Sequence, residues 1–126
     1  MIKVETGIDL VEISRITEIK PSIRERFLKR VYTSRELEES QGRDNALAGR
    51  FAAKEAAAKA LGTGIGDISW QDIEIRLDSK GKPSLVLHGN AEKIAHEKGW
   101  ISSSVSITHT AEIAAAVVTA IIDSSV

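Results

Sequence analysis

Two acidic positions have the setting that metal or phosphate chemistry needs. Asp9 lies within Gly7-Ile8-Asp9-Leu10-Val11-Glu12-Ile13, an otherwise apolar, strand-like run. A carboxylate there has to be paired, exposed at an edge or bound to a cation, because burying it alone is very costly. Two readings fit the local pattern: a strand-end aspartate that caps the next helix, or a ligand for a hard cation. Glu12 falls three residues on, on the opposite strand face, and is not expected to share a site with Asp9. Glu55 and Lys59 are the second candidate. They stand four apart in the helical run 48–61 and share a face with Ala48, Phe51 and Ala52. A helix-stabilising ion pair accounts for that spacing. So does a carboxylate that holds a hard cation, one turn from a lysine that neutralises a phosphate oxygen.

Three further features are weaker alone. Gly62-Thr63-Gly64-Ile65-Gly66 follows a helix instead of linking a strand to a helix start, and lacks the Gly-Lys-Ser/Thr ending of a P-loop. It reads as a loop that lets a ligand approach the backbone. His109 ends the strand-like Val105-Ser106-Ile107-Thr108-His109, where it is either a satisfied edge histidine or a phosphate contact. His88 and His96 have no such setting, and no paired-histidine metal motif is present. Between Ser14 and Arg35, seven basic residues, Arg15, Arg24 and Arg26 among them, face only Glu18 and Glu25. This stretch is either a solvated helical face or a docking surface for an acidic protein.

The elements that must position these residues follow from periodicity and punctuation. Residues 2–11 open as a β-branched strand, with Gly7 marking a bulge or a close backbone approach. A helical segment is expected from about Glu12 to Ile19, and a second, after Pro21, from about Ser22 to Val31. Thr33 and Glu36 make a capping box for a third. Asp44 is expected to cap a long helix that Gly62 closes. Trp70 to Leu77 reads as a strand, Ser79 to Pro83 as a turn, and Leu85 and Leu87 as the partner strand. Asn90 is expected to cap a helix that Gly99 stops. Two final strands, about 102–108 and 112–122, complete the chain, the last one apolar on both faces and therefore central or covered. Irregular alternation with hairpin-linked strands predicts an α+β fold with a mainly antiparallel sheet.

Composition narrows the classes. The 126 residues fit one domain, 1–126. Aromatic residues make up only 4%, so alanine, valine and isoleucine must fill thin, closely packed layers. A core of that kind invites a neighbouring subunit. The net charge of −1 gives no global pull toward nucleic acid or an anionic membrane. Cysteine is absent, which excludes disulfides, thiolate nucleophiles and Cys-ligated metals, and suits a reducing cytoplasm. The N-terminus meets acidic residues too early for a signal peptide. The longest apolar run, Ile113 to Ile122, is about half of a membrane span.

Together the segments resemble the holo-acyl-carrier-protein synthase family, the short class of 4′-phosphopantetheinyl transferases. The match runs in order along nearly the whole chain. It comprises Gly7-Ile8-Asp9-Leu10-Val11-Glu12-Ile13 with Arg15, then Phe27-Leu28-Lys29-Arg30-Val31-Tyr32-Thr33 with Glu36. Arg50-Phe51-Ala52-Ala53-Lys54-Glu55-Ala56 follows, with Lys59-Ala60 and Gly62-Thr63-Gly64. Asp72-Ile73-Glu74-Ile75, Gly81-Lys82-Pro83 and Ser106-Ile107-Thr108-His109-Thr110 complete it. The resemblance implies transfer of 4′-phosphopantetheine from coenzyme A to a serine of acyl carrier protein, in the cytoplasm and in fatty acid biosynthesis. It implies Mg²⁺ held by Asp9 and Glu55, with Glu55 and Lys59 catalytic, and a homotrimer with coenzyme A between subunits. Lys59, Gly62, Gly81, Lys82, Pro83, Thr108 and His109 would bind coenzyme A, the last five from the adjacent subunit. Arg15, Arg24 and Arg26 would dock the carrier. Thr108 departs from the family's usual serine but keeps the hydroxyl. Val11 stands where longer relatives carry a third acidic ligand, so water would complete the metal's shell. Two rivals remain at this level: a non-catalytic coenzyme A-binding module, and a subunit that binds an acidic partner without chemistry.

Overall fold

The computed structural model describes residues 1–125. Strand β1 (Ile2–Glu12) leads into a single-turn helix α1 (Ser14–Thr17), then α2 (Pro21–Val31), α3 (Ser34–Ser40) and the long α4 (Asp44–Leu61). A 3-10 turn (Trp70–Asp72) precedes the hairpin β2 (Ile73–Leu77) and β3 (Pro83–Leu87). Helix α5 (Gly89–Glu97), β4 (Trp100–His109) and β5 (Ile113–Asp123) follow. The long strands form an antiparallel sheet in the order β1-β5-β4, and β2 and β3 pair separately. The expected α+β architecture is present, with β5 central.

Alanine explains the position of α4. Its Ala48, Ala52, Ala53, Ala56, Ala57, Ala58 and Ala60 are buried around most of the helix, so it lies inside the molecule and not on its surface. It packs on the sheet face that carries Ala114, Ala116, Val118 and Ala120 of β5, all buried. Small side chains on both layers let backbone approach backbone. Gly7 is the closest case: β1 runs on without a bulge, and a Cβ there would stand 1.9 Å from the Ala56 carbonyl oxygen. Gly62 ends α4 in the left-handed region at φ 80°. Among the described residues nothing covers the opposite sheet face. Val4, Ile8 and Leu10 of β1 and Ile113, Val117 and Ile121 of β5 are exposed there, so β5 is central in the sheet yet covered on one side only.

Several local expectations need correction. Helix α1 spans only Ser14–Thr17, because β1 stays extended to Glu12 to complete its ladder with Ile113. Arg43, not Asp44, occupies the cap of α4. Asp44 is the first helical residue, and its carboxylate goes to Arg24 at 2.7 Å. His88 occupies the cap of α5, while the Asn90 amide donates to the Asp67 carbonyl. Trp70 lies in the 3-10 turn, and the strand starts at Ile73. The Thr33–Glu36 capping box forms as expected.

Candidate active site

Register and helix phase bring Asp9, Glu55 and Lys59 together. Asp9 is on the β1 face that meets α4, two residues beyond Gly7. Lys59 Nζ donates to Asp9 Oδ1 at 3.1 Å and to the Ile8 carbonyl at 3.0 Å. Glu55 sits one turn earlier on α4, half-buried. Burial, and then the charge of Asp9, push its carboxyl above the usual range, while Lys59 and Arg15 pull it down. Two carboxylates that repel each other suit a divalent cation. Their oxygens are the hard donors Mg²⁺ prefers, and bound metal would relieve the repulsion. Among the described residues no group of three or more His, Cys, Asp or Glu side chains gathers. A cation at this place would have to be held by Asp9 and Glu55 alone among the described residues. Glu12 is exposed and off this face, as the alternation requires.

The second half of the site lies across α4, on its β4 flank. A cavity of about 270 Å³ is lined by Arg43, Asn45 and Arg50, by Thr108 and His109 of β4, and by Gly81 and Pro83 of the hairpin, among others. His109 Nε2 lies 3.1 Å from the Asn45 amide nitrogen. Arg50 is 5% exposed. Its Nη1 donates to the Ala46 carbonyl at 3.2 Å, but Nε and Nη2 are buried without a partner. Buried guanidinium N–H groups left unpaired are costly, and Arg50 is one of two arginines that line this cavity. Burial depresses the Arg50 pKa, and the carboxylates of Glu36 and Glu39 oppose that shift.

The structure thus joins four of the residues expected on the nucleotide side, Gly81, Pro83, Thr108 and His109, in one cavity. Lys82 is exposed in the same turn but does not line it. Gly62 stands with Lys59 on the cation side, where both line a cavity of about 290 Å³ with Lys3 and Lys98. A larger cavity, about 720 Å³ between α5 and β4, contains none of the expected residues. Arg50 and Asn45 line the same cavity as His109 and were not expected there from the sequence. Their only signal was position: Arg50 opens the Arg-Phe-Ala-Ala-Lys-Glu run, and Asn45 is in helical phase with Gly49 on the flank of α4 that meets Ile107.

The basic stretch divides. Arg15 is exposed, and its guanidinium lies over the Phe51 ring at 5.3 Å, on the Glu55 side of α4. Arg24 donates to Asp44 and to the Ile16 carbonyl, so it fastens α2 to its neighbours. Arg26 is exposed.

Known proteins share this fold. A family model described as the 4′-phosphopantetheinyl transferase superfamily matches residues 5–118. The holo-acyl-carrier-protein synthase of Carboxydothermus hydrogenoformans is 47% identical over 115 residues, covering 89% of this chain and 93% of that protein. The solved structure of the Helicobacter pylori holo-acyl-carrier-protein synthase, in complex with coenzyme A, aligns with a TM-score of 0.83 at 35% identity, covering 91% of this chain and 98% of that one. The Bacillus anthracis holo-acyl-carrier-protein synthase, in complex with CoA (3′,5′-ADP), aligns with a TM-score of 0.77 at 36% identity, covering 98% and 100%. With that coverage over both halves of the site, the chain belongs to the holo-acyl-carrier-protein synthases of the 4′-phosphopantetheinyl transferase superfamily.

Proposed function

We propose that the protein transfers 4′-phosphopantetheine from coenzyme A to a serine of an acyl carrier protein, with Mg²⁺ held by Asp9 and Glu55. The observation that carries this reading is the convergence of those two carboxylates with Lys59. The names of its relatives support the substrates: they are holo-acyl-carrier-protein synthases, two of them solved with coenzyme A or its nucleotide part.

In this reading the serine oxygen attacks the β-phosphorus of coenzyme A. A new P–O bond forms, the bond to the adenosine 3′,5′-bisphosphate breaks, and the serine proton is released. Mg²⁺, when bound, would supply a Lewis acid for the pyrophosphate oxygens. Lys59 Nζ turns from Asp9 to those oxygens and offsets the charge that grows on them. Gly62 gives backbone access beside it. Arg50, with two unpartnered guanidinium nitrogens, takes an anionic group at the nucleotide end, next to His109, Thr108 and the Gly81–Pro83 turn. Arg15, Arg24 and Arg26 orient the carrier, which raises the fraction of encounters that are in line.

The reading includes a homotrimer with shared sites and one domain spanning residues 1–126. The uncovered apolar sheet face supports assembly, because monomers rarely expose such a patch. The separation of the two half-sites by α4 supports sharing. No helix among the described residues is long and apolar enough to cross a membrane. We place the reaction in the cytoplasm, in fatty acid synthesis. The decisive experiment is mass spectrometry of an apo carrier after incubation with the protein, coenzyme A and Mg²⁺. A gain of one phosphopantetheine group is expected. An unchanged carrier mass would leave only a binding module.

A further inference from the structure

We infer that Gly7 is a positioning residue that sets the distance between the two metal-binding carboxylates. The inference rests on the cation site proposed above.

Gly7 is buried on the α4 face of β1 and does not have a positive φ. Its backbone would accept alanine, so conformation does not explain the glycine. Space does. A Cβ would lie 1.9 Å from Ala56 O, 2.9 Å from Ala56 C and 2.8 Å from Ala60 N. These are the carbonyl and the amide of one helical turn, and neither can swing aside as a side-chain tip can. Relief to even 3.0 Å from the oxygen requires the helix and strand to separate by about an ångström at this point.

The residues beside that contact are the chemical ones. Asp9 is the next residue on the same face of β1. Glu55 and Lys59 directly precede Ala56 and Ala60 on α4. Any separation of Gly7 from Ala56 is therefore a separation of Asp9 from Glu55. Mg²⁺ demands near-ideal geometry at short bond lengths, and a misplacement of about 1 Å costs on the order of 100-fold in a positioned site.

The test is Gly7→Ala in the full chain, read by electron paramagnetic resonance of Mn²⁺. Mn²⁺ is titrated with coenzyme A present and corrected for the metal that coenzyme A takes alone. Gly7→Ala should weaken Mn²⁺ binding by about tenfold or more. Adding Asp9→Glu, whose extra methylene reaches across the wider gap, should restore part of the affinity. Asp9→Glu alone should weaken it. A structural lesion would show no such rescue. Normal Mn²⁺ affinity in folded Gly7→Ala, or a loss that Asp9→Glu does not recover, overturns the inference. Should Gly7→Ala not fold, Ala116→Val is the milder wedge. Ala116 is buried and pairs with Asp9 beneath α4. The same weakening and the same rescue are expected, and their absence overturns the inference. Failure of the unaltered chain to bind Mn²⁺ is a separate result, which removes the cation site itself and the inference with it.

Discussion

Asp9 and His109 lie on the same face of one sheet but on its two outer strands. Asp9 pairs with Ala116 of β5, and His109 pairs with Ala114 of β5. The two side chains are thus separated by a full strand, about 10 Å across the sheet, and α4 lies in between. That separation is the basis for testing the proposed sharing of the site between subunits. A mixture of inactive Glu55→Ala and inactive His109→Ala proteins should therefore regain activity after subunit exchange. Some clefts would then combine an intact cation half with an intact nucleotide half. Exchange without recovery, or a monomer by light scattering, would count against shared sites.

The carboxylates should be needed for chemistry and dispensable for folding. Asp9→Asn and Glu55→Gln keep the side-chain size and remove one charge each. Turnover should fall by about 100-fold or more in each, with the far-ultraviolet spectrum and the assembly unchanged. Asp9→Asn frees Lys59 from its ion pair, which is 55% exposed on the lysine side, so little stability is at stake. Near-normal turnover in either variant would remove that residue from the cation site.

Lys54 should behave in the opposite way. It is fully buried, pairs with buried Glu36 at 2.7 Å and donates to the carbonyls of Trp70 and Ile73. Glu36 also accepts from the backbone of Thr33 and Ile75. The pair ties α3, α4 and β2 into one unit. Lys54→Met leaves an uncompensated buried carboxylate and should cost about 3–5 kcal/mol. Adding Glu36→Gln should recover part of that, as measured by denaturant unfolding. No recovery would mean that the methionine itself is badly packed.

These contrasts show what the sequence carried. The Thr33–Glu36 box, the α4 stop at Gly62 and the alternating strands were legible because they are local patterns with one dominant cause. Asp44 and Asn90 misled because their side chains have distant partners, Arg24 and Asp67, that outbid the cap. Lys54 and Glu36 stand far apart in the chain, and their burial as a pair has no local signature. The orphaned N–H groups of Arg50 are invisible to any pattern, since they depend on what the fold fails to provide. Asp9 and Glu55 stood out because each is a carboxylate in apolar surroundings, and the structure sets both beside Lys59. Gly7 was legible as a bulge or a close backbone approach, and the structure has the close approach, to Ala56 of α4.

Stability should fall in acid through Glu74. Burial pushes its carboxyl up, but hydrogen bonds from Thr33, His88 and Arg76 outweigh this and bring it to about 2, from an ordinary 4.5. A depressed folded-state pKa stabilises above the unfolded value and loses that contribution as pH drops toward the folded one. The window is therefore roughly pH 4.5 to 2. Arg76 and His88 are partly exposed, so we discount the effect to on the order of 2 kcal/mol. Glu74→Gln should lower stability near neutrality by this amount and flatten the acid limb. Parallel wild-type and variant curves from pH 5 to 2 would show that Glu74 does not carry it.

Arg26 is the residue that best separates docking from structure on the basic surface. Arg24→Glu would set two acids against each other at Asp44, so its effects mix folding with docking. Arg15→Glu would bring a negative charge toward Glu55 and disturb the cation site. Arg26 is exposed on α2 and makes no hydrogen bond or ion pair among the described residues. Arg26→Glu should leave the melting temperature and the KM for coenzyme A unchanged. The apparent affinity for an acidic carrier should fall several-fold, roughly tenfold at low salt, through a slower association rate. Raising the salt should weaken the wild type and narrow the gap, because exposed charges are screened over a Debye length of roughly 8 Å at physiological ionic strength. A solvated face with no docking role gives equal carrier kinetics for wild type and variant at every salt concentration. That outcome at low salt would move the carrier surface away from α2.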